Sequence, residues 1–220
     1  EARGGMDVCA GELSGYLGDA DLGEVVLAAV TRVKGRNHDA LFCCDPVMGD
    51  VGRGFFVRDG IPEFFRDKAL ASADILVPNQ FELAYLADQP IATLDDALTA
   101  TASLRQQGPR QVLVTSFEPK EGPPDQISML LDTDEGAWQV DTPRLPLNPA
   151  PNGAGDCTAA LYFGHVLRLG QPKAALEATA ASIYAVFEAT VERGTRELAL
   201  IDAQDAMVRP TELFTVAPVR

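Results

Sequence analysis

The chain has 220 residues, of which 46% are hydrophobic and 23% charged, a composition typical of one globular domain with a sizeable core. Its net charge of −14 argues against a nucleic-acid partner, because such surfaces need clustered lysine and arginine. The four cysteines form no CxxC pair and no cysteine–histidine cluster, so neither a disulfide framework nor a zinc site is supported. No apolar stretch approaches about 18 residues. We therefore expect a cytoplasmic protein with no membrane partner.

Strand-like and helix-like patterns alternate along the chain. Apolar runs predict strands, the first of them buried, at residues 6–16, 40–46, 73–79 and 111–116, and amphipathic spacing predicts helices at residues 21–35, 61–72, 80–88 and 93–108. Two neighbouring strands joined by a turn are predicted at residues 127–133 and 137–143, and helices at residues 156–169, 172–192 and 198–207. Segments 50–56 and 118–126 are predicted to be exposed loops. The alternation favours an α/β fold, a doubly wound, mostly parallel sheet flanked by helices.

A glycine-rich turn, NGAGD at residues 152–156, precedes the apolar helix predicted at 156–169. Gly153 and Gly155 allow the backbone to bend sharply and to approach a bound group closely. The unpaired amide groups at a helix start, together with the helix dipole, favour an anion there. Asp156 has two interpretations, because aspartate is also a good helix cap and a lone Gly-x-Gly-Asp motif is weakly specific.

Polar residues follow each predicted parallel strand. In open α/β sheets ligands bind outside the carboxyl ends of the strands, so these side chains are expected to converge. They are Tyr16, Asp45, Asp50, Asn79, Glu82, Thr115 and Ser116. Each has a structural alternative: an ordinary turn for Asp45, a capping box for Asn79 and Glu82, and a core aromatic for Tyr16. These alternatives do not explain why every strand end is polar.

This arrangement suits phosphoryl transfer. That reaction needs an amide cradle for phosphate oxygens, carboxylates for Mg²⁺ and a base near the attacking hydroxyl. The NGAGD turn offers the cradle and the base, and Asp45, Asp50 and Glu82 are candidate metal ligands. The chain contains no GxxxxGK[ST] motif, so it is not a P-loop enzyme.

Five motifs in this order carry a family resemblance: SGYLGD, CDPVMGD, PNQFEL, VLVTS and GAGDCTAAL. Together they resemble a pyridoxal kinase of the ribokinase-like superfamily, over nearly the whole chain. The resemblance implies a three-layer α/β/α sandwich and transfer of the ATP γ-phosphate to the 5′-hydroxyl of pyridoxal, pyridoxine or pyridoxamine, with Mg²⁺. It also implies a homodimer.

The resemblance also assigns roles to single residues. Asp156 would be the catalytic base beside the substrate, Tyr16 would line the pyridoxal pocket, and Gly153, Ala154 and Gly155 would form the anion hole. ATP would be contacted by Asp45, Asn79, Glu82, Thr115 and Ser116, and Mg²⁺ by Asp45, Asp50 and Glu82. A monovalent cation is a further ligand that the resemblance allows, although Val77 stands where some relatives place a threonine that helps to hold it.

Members of the family begin with a further strand and a segment that covers the substrate ring. We therefore expect residues 1–220 to form one kinase domain without that N-terminal segment, with an open edge at the 6–16 strand and a tendency to aggregate. Two other functions stay open. One is hydroxymethylpyrimidine kinase, a relative that often carries cysteine where Asp156 stands, and the other is a nucleotide-binding module without catalysis.

Overall fold

The computed structural model describes residues 5–147 and 151–220, and its elements follow the predicted alternation. The strands are β1 (Gly11–Ser14), β2 (Leu41–Cys44), β3 (Gly49–Asp50), β4 (Gly54–Phe55), β5 (Ile75–Leu76), β6 (Gln111–Phe117), β7 (Gln126–Thr133), β8 (Gly136–Pro143) and β9 (Ala217–Pro218). The helices are α1 (Ala20–Lys34), α2 (Ile61–Phe64), α3 (Leu70–Ser72), α4 (Gln80–Leu86), α5 (Leu94–Arg105), α6 (Ala154–Leu169), α7 (Pro172–Arg193) and α8 (Gln204–Val208). Of the predicted domain, residues 1–4 and 148–150 lie outside this description.

Within the described residues, seven strands form one sheet in the order β1-β2-β5-β6-β7-β8-β9. The pairs from β1 through β6 are parallel, which requires the helical crossovers that the sequence predicts. The pairs from β6 through β9 are antiparallel, and the predicted hairpin forms β7 and β8. Strands β3 and β4 form a separate two-stranded hairpin. The α/β class is confirmed, with the antiparallel strands added to one side of a parallel sheet.

Helices cover both faces of the sheet. Successive strand side chains point to opposite faces, so Phe42 and Cys44 belong to the core beneath α1, α2, α4 and α5, whereas Cys43 belongs to the core beneath α6 and α7. Helix α7 is long and apolar enough to cross a membrane by length and composition, although no such stretch was expected. Its most apolar window is 61% buried, as a core helix requires. The predicted three-layer arrangement is confirmed.

Several boundaries differ from the predictions. The strand predicted at 6–16 is a 3₁₀ turn (Gly5–Val8) followed by β1, and it is not buried, because β1 lies at the sheet edge and leaves Leu13 40% exposed. The 61–72 helix contains a π turn at Phe65–Ala69. The helix predicted at 198–207 is shorter in the structure, where only α8 (Gln204–Val208) is helical, and the backbone N–H of Ala199 donates to Thr190 Oγ1 at 3.0 Å.

The two segments predicted as loops behave differently. Segment 118–126 is exposed and irregular as far as the first residue of β7, which confirms the prediction. Segment 50–56 is largely exposed, but it contains most of the β3–β4 hairpin, so its prediction as a loop was wrong. Its strands are only two residues long, too short to leave an alternating pattern in the sequence.

Candidate active site

A cavity of about 420 Å³ opens at the carboxyl ends of β1, β2, β5 and β6. Every residue predicted for the site lines it: Tyr16, Asp45, Asp50, Asn79, Glu82, Thr115, Ser116, Gly153, Ala154, Gly155 and Asp156. Residues that were given no individual role from the sequence complete the lining: Val47, Gly49, Arg53, Phe56, Pro151 and Asn152. The structure therefore places these predicted residues around one cavity.

The first turn of α6 forms one wall of the cavity. Gly153 is the N-cap residue and adopts φ of 82°, a left-handed conformation that glycine tolerates without strain. Asp156 is the third helical residue, so the interpretation of Asp156 as the cap was wrong. Its exposed carboxylate accepts no hydrogen bond from the described part of the chain. The helix start thus combines amide groups suited to an anion with a carboxylate that is not engaged in the fold.

Asp45 lies directly after β2 and is only 4% exposed. Its backbone N–H donates to the Ser14 carbonyl at 2.9 Å, which fixes the chain beside β1. Its Oδ2 atom is buried and has no hydrogen-bond partner among the described residues. Burial, with the nearby charges of Glu82 and Asp156, raises the pKa of Asp45 well above its ordinary value. A buried carboxylate in this state is stabilised by a proton or by a bound cation.

Asn79 and Glu82 form the capping box of α4. Asn79 Oδ1 accepts from the Glu82 backbone N–H at 3.0 Å, and Glu82 Oε2 accepts from the Asn79 backbone N–H at 2.8 Å. Glu82 Oε1 also accepts from the Met48 backbone N–H at 3.0 Å, and Asn79 Nδ2 donates to the Gly49 carbonyl at 2.8 Å. The capping interpretation is confirmed, and the same box ties α4 to the turn after β2. Burial raises the pKa of Glu82 to about 7 despite its backbone donors.

The remaining predicted residues lie at the cavity rim. Tyr16 is 60% exposed, so its interpretation as a core aromatic was wrong. Ser116 adopts φ of 51° where the pairing of β6 with β7 shifts register. A non-glycine residue in this region is strained, and such strain is concentrated at functional sites. Asp50 begins the turn between β3 and β4, where its Oδ1 accepts from the Val51 backbone N–H at 2.8 Å.

The charge of the cavity is dominated by acids. Asp45, Asp50, Glu82 and Asp156 face a single basic residue of the described chain, Arg53. No group of three histidine, cysteine or acidic side chains among the described residues is close enough to hold a metal ion by itself. Mg²⁺ in phosphoryl-transfer enzymes is usually held by one or two carboxylates, waters and substrate phosphates, so this geometry remains compatible with it.

A second, more apolar cavity adjoins the first across the α6 N-terminus. The two cavities share Thr115, Ser116, Ala154 and Gly155. The apolar walls are provided by strand β7 and helix α7, through Ile127, Met129, Ile183 and Phe187. The alternation along the predicted hairpin places Ile127 and Met129 on one face, but the sequence carries no signal that this face borders the site.

Comparisons with known proteins identify the family. Residues 14–200 match the family model described as phosphomethylpyrimidine kinase. The chain is 53% identical over 218 residues to the pyridoxal kinase PdxY of Rubrobacter xylanophilus, covering 99% of this chain and 74% of the relative. It is 45% identical over 223 residues to the pyridoxal kinase PdxY of Deinococcus radiodurans, covering 100% and 75%. The chain belongs to the pyridoxal kinases. The family resemblance and the kinase activity it implies are therefore confirmed.

Solved structures agree with this pyridoxal kinase assignment. The pyridoxal kinase of Leishmania donovani in complex with ADP and pyridoxamine has a TM-score of 0.88 and 27% identity, covering 100% of this chain and 77% of that one. A putative phosphomethylpyrimidine kinase from Bacteroides thetaiotaomicron has a TM-score of 0.85 at 23% identity, covering 99% and 75%. The second likeness shows only a shared fold, so it does not favour the pyrimidine substrate.

Proposed function

We propose that this pyridoxal kinase transfers the γ-phosphate of ATP to the 5′-hydroxyl of pyridoxal, and of pyridoxine and pyridoxamine. One observation carries the proposal. The unengaged carboxylate of Asp156 and the amide groups of the α6 N-terminus face the same cavity as the buried, unpartnered Asp45. A base, an anion cradle and a cation-seeking carboxylate in one cavity are what phosphoryl transfer requires.

Asp156 acts as the base. The 5′-hydroxyl oxygen attacks the γ-phosphorus, its proton moves to the Asp156 carboxylate, and the bond from phosphorus to the bridging oxygen of ADP breaks with its electron pair on ADP. Gly153, Ala154 and Gly155 form the anion hole, where backbone N–H groups stabilise the charge that develops on the transferring group. The products are the 5′-phosphate ester and ADP.

The acidic residues around Asp45 fit Mg²⁺. The orphaned Oδ2 of Asp45 provides a hard anionic oxygen, the ligand type that Mg²⁺ prefers. Asp45, Asp50 and Glu82 would hold the ion directly or through waters. When bound, Mg²⁺ neutralises charge on the β- and γ-phosphates. A monovalent cation near Asn79, Thr115 and Ser116 is part of the same proposal.

The two cavities divide the substrates between them. We assign the ATP phosphates to the part of the larger cavity lined by Asp45, Asn79, Glu82, Thr115 and Ser116. We assign the adenine ring of ATP to the apolar cavity of β7 and α7, because a heteroaromatic ring favours an apolar wall. The exposed ring of Tyr16 lines the larger cavity but not the apolar one, and there it would contact the pyridine ring.

The proposal extends to the cellular state of the protein. We propose one ribokinase-like kinase domain, supported by two cores that share a single sheet, and a homodimer, supported by the family resemblance. A cytoplasmic location is supported by cysteines 9, 43, 44 and 157, which are free thiols.

The test is ATP turnover with pyridoxal or with hydroxymethylpyrimidine as acceptor. We expect formation of pyridoxal 5′-phosphate and ADP in equal amounts, with much lower turnover of the pyrimidine. A reversed preference would make the chain a hydroxymethylpyrimidine kinase. Nucleotide binding without turnover of either acceptor would support the non-catalytic module.

A further inference from the structure

Arg53 is the one cation of the described chain that lines the acidic cavity, and neither the motifs nor the proposed mechanism assigns it a role. The acids in the lining and the phosphates of a bound nucleotide would together concentrate negative charge there. A positive side chain in the same cavity is therefore electrostatically favoured once ATP is bound. Within the described residues, the guanidinium of Arg53 forms no ion pair that would occupy it in the fold.

The hairpin that carries Arg53 is anchored to α4. The ring of Phe55 packs edge-on against Phe81, at a centroid distance of 5.1 Å, and against Tyr85, at 5.2 Å. Edge-to-face aromatic pairs of this kind stabilise a contact beyond the area they bury. The base of the hairpin is therefore fixed relative to α4, and Arg53, in the turn of that hairpin, lines the same cavity as Glu82.

The turn also orients the guanidinium. Arg53 stands between Gly52 and Gly54, whose φ values of 77° and 69° produce the tight bend. The Arg53 guanidinium lies over the ring of Phe56, with its central carbon 5.1 Å from the ring centroid. Stacking on an aromatic face restrains the planar group while its donors stay available. The structure thus presents to the cavity a restrained guanidinium that has no ion-pair partner among residues 5–147 and 151–220.

We infer that Arg53 binds the non-bridging oxygens of the terminal phosphate of ATP, an inference that rests on the proposed function. The apolar cavity assigned to adenine does not include Arg53, whereas the larger cavity is lined by both Arg53 and Asp156. A nucleotide whose adenine lies in the apolar cavity therefore extends past Ala154 and Gly155 into the larger cavity, so its last phosphate enters the space that Arg53 lines. A planar guanidinium can engage two phosphate oxygens at once, which also positions the group for transfer.

The test compares the binding of a non-hydrolysable ATP analogue with that of ADP in Arg53→Gln and Arg53→Lys. We expect Arg53→Gln to lower affinity for the analogue about tenfold while ADP affinity changes little, because one charge-assisted phosphate contact is lost. Turnover of pyridoxal should fall by at least the same factor. The affinity of Arg53→Lys for the analogue should lie between those of the wild type and Arg53→Gln, since lysine retains the charge but not the paired donors of the guanidinium. Arg58→Gln is the matched control, an exposed arginine on the same segment that does not line the cavity.

The outcomes separate the two proposals. If Arg53→Gln keeps the wild-type ratio of analogue to ADP affinity, or loses both affinities equally, Arg53 does not bind the terminal phosphate and the inference is overturned, whatever the acceptor. If wild-type protein fails to phosphorylate pyridoxal while Arg53→Gln still loses the analogue selectively, the proposed acceptor is wrong and the phosphate contact stands. Thermal unfolding of each variant checks that folding is unchanged, as expected for an exposed side chain.

Discussion

The parallel half of the sheet supplies the polar groups of the larger cavity, whereas the antiparallel half supplies framework and an apolar wall of the second cavity. Strands β2 and β5 are four and two residues long, and polar side chains follow each of them into the cavity. Strands β7 and β8 are eight residues each and pair along their whole length, from Gln126 with Pro143 to Thr133 with Gly136. Where a short strand ends, the backbone groups that follow it are no longer paired in the sheet, so they and their side chains can contact a ligand. A fully paired hairpin uses its backbone groups in the ladder.

Two buried aspartates show the same contrast. Asp132, on β7, is 0% exposed, and it accepts from Thr101 Oγ1 at 2.8 Å and from Arg220 Nη2 at 2.8 Å. Arg105 adds an ion pair at 3.4 Å. Asp45, on the parallel side, is 4% exposed and has one oxygen without a partner among the described residues. A satisfied buried acid supports the fold, whereas an unsatisfied one indicates a ligand.

The largest effect on turnover is expected at Asp156. Asp156→Asn keeps the size and polarity of the side chain but cannot accept the hydroxyl proton, so turnover should fall by about 10²-fold or more. Unfolding should be unchanged, because Asp156 does not cap α6. Steady-state kinetics with ATP and pyridoxal measure the loss. Near wild-type turnover would remove Asp156 from the chemistry and leave it as an ordinary residue of the first turn of α6.

The framework half is probed at Asp132. Asp132→Ala leaves two arginines without their buried partner, so the free energy of unfolding should fall by about 3–5 kcal/mol. Turnover at low temperature should persist, because the residue does not line the cavity. Asp134→Ala is the matched control, since Asp134 also pairs with Arg105 but is 68% exposed, and little change is expected. Equal unfolding curves for both variants would contradict the structural role of Asp132.

The parallel half of the sheet was predicted better from the sequence than the β3–β4 hairpin, which carries Arg53. Asp45, Asn79 and Asp156 could be found because each follows a recognisable apolar run or glycine turn, and parallel strand ends meet at one edge. Arg53 and Phe56 could not, because strands of two residues carry no periodicity and the contact of Phe55 with Phe81 joins distant parts of the chain. The length of β1 was also overestimated, since hydropathy does not report that a strand is at an edge.

Glu82 should make stability depend on pH. Its pKa of about 7 in the folded protein exceeds the ordinary value of 4.5, so folding favours the protonated form. Its stabilising contribution is therefore complete below about pH 4.5 and is lost as the pH rises through 7, by up to about 3 kcal/mol. Denaturant unfolding of nucleotide-free protein without divalent cations, from pH 5 to pH 8, should show this fall. Glu82→Gln should flatten the curve, and an unchanged slope would show that Glu82 does not titrate in this window.

The smallest effect concerns the Mg²⁺ requirement, which tests whether the acids of the parallel half act as ligands or as framework. Asp45→Asn and Glu82→Gln should each raise the Mg²⁺ concentration for half-maximal turnover, by roughly tenfold, because a hard cation prefers charged oxygens. Titration of MgCl₂ at fixed ATP measures it, with Asp59→Asn as the control, an exposed acid outside the cavity lining.

The two variants also separate Asp45 from Glu82. Glu82 has a structural role already, in the capping box: Gln keeps only one of its two acceptor oxygens, so one backbone N–H bound by Glu82 would lose its partner. Asp45 has an orphaned oxygen, so removal of its charge should leave the nucleotide-free protein at least as stable as before. Unchanged Mg²⁺ dependence in both variants would make them structural acids, and the contrast of Asp45 with Asp132 would then rest on hydrogen bonding alone.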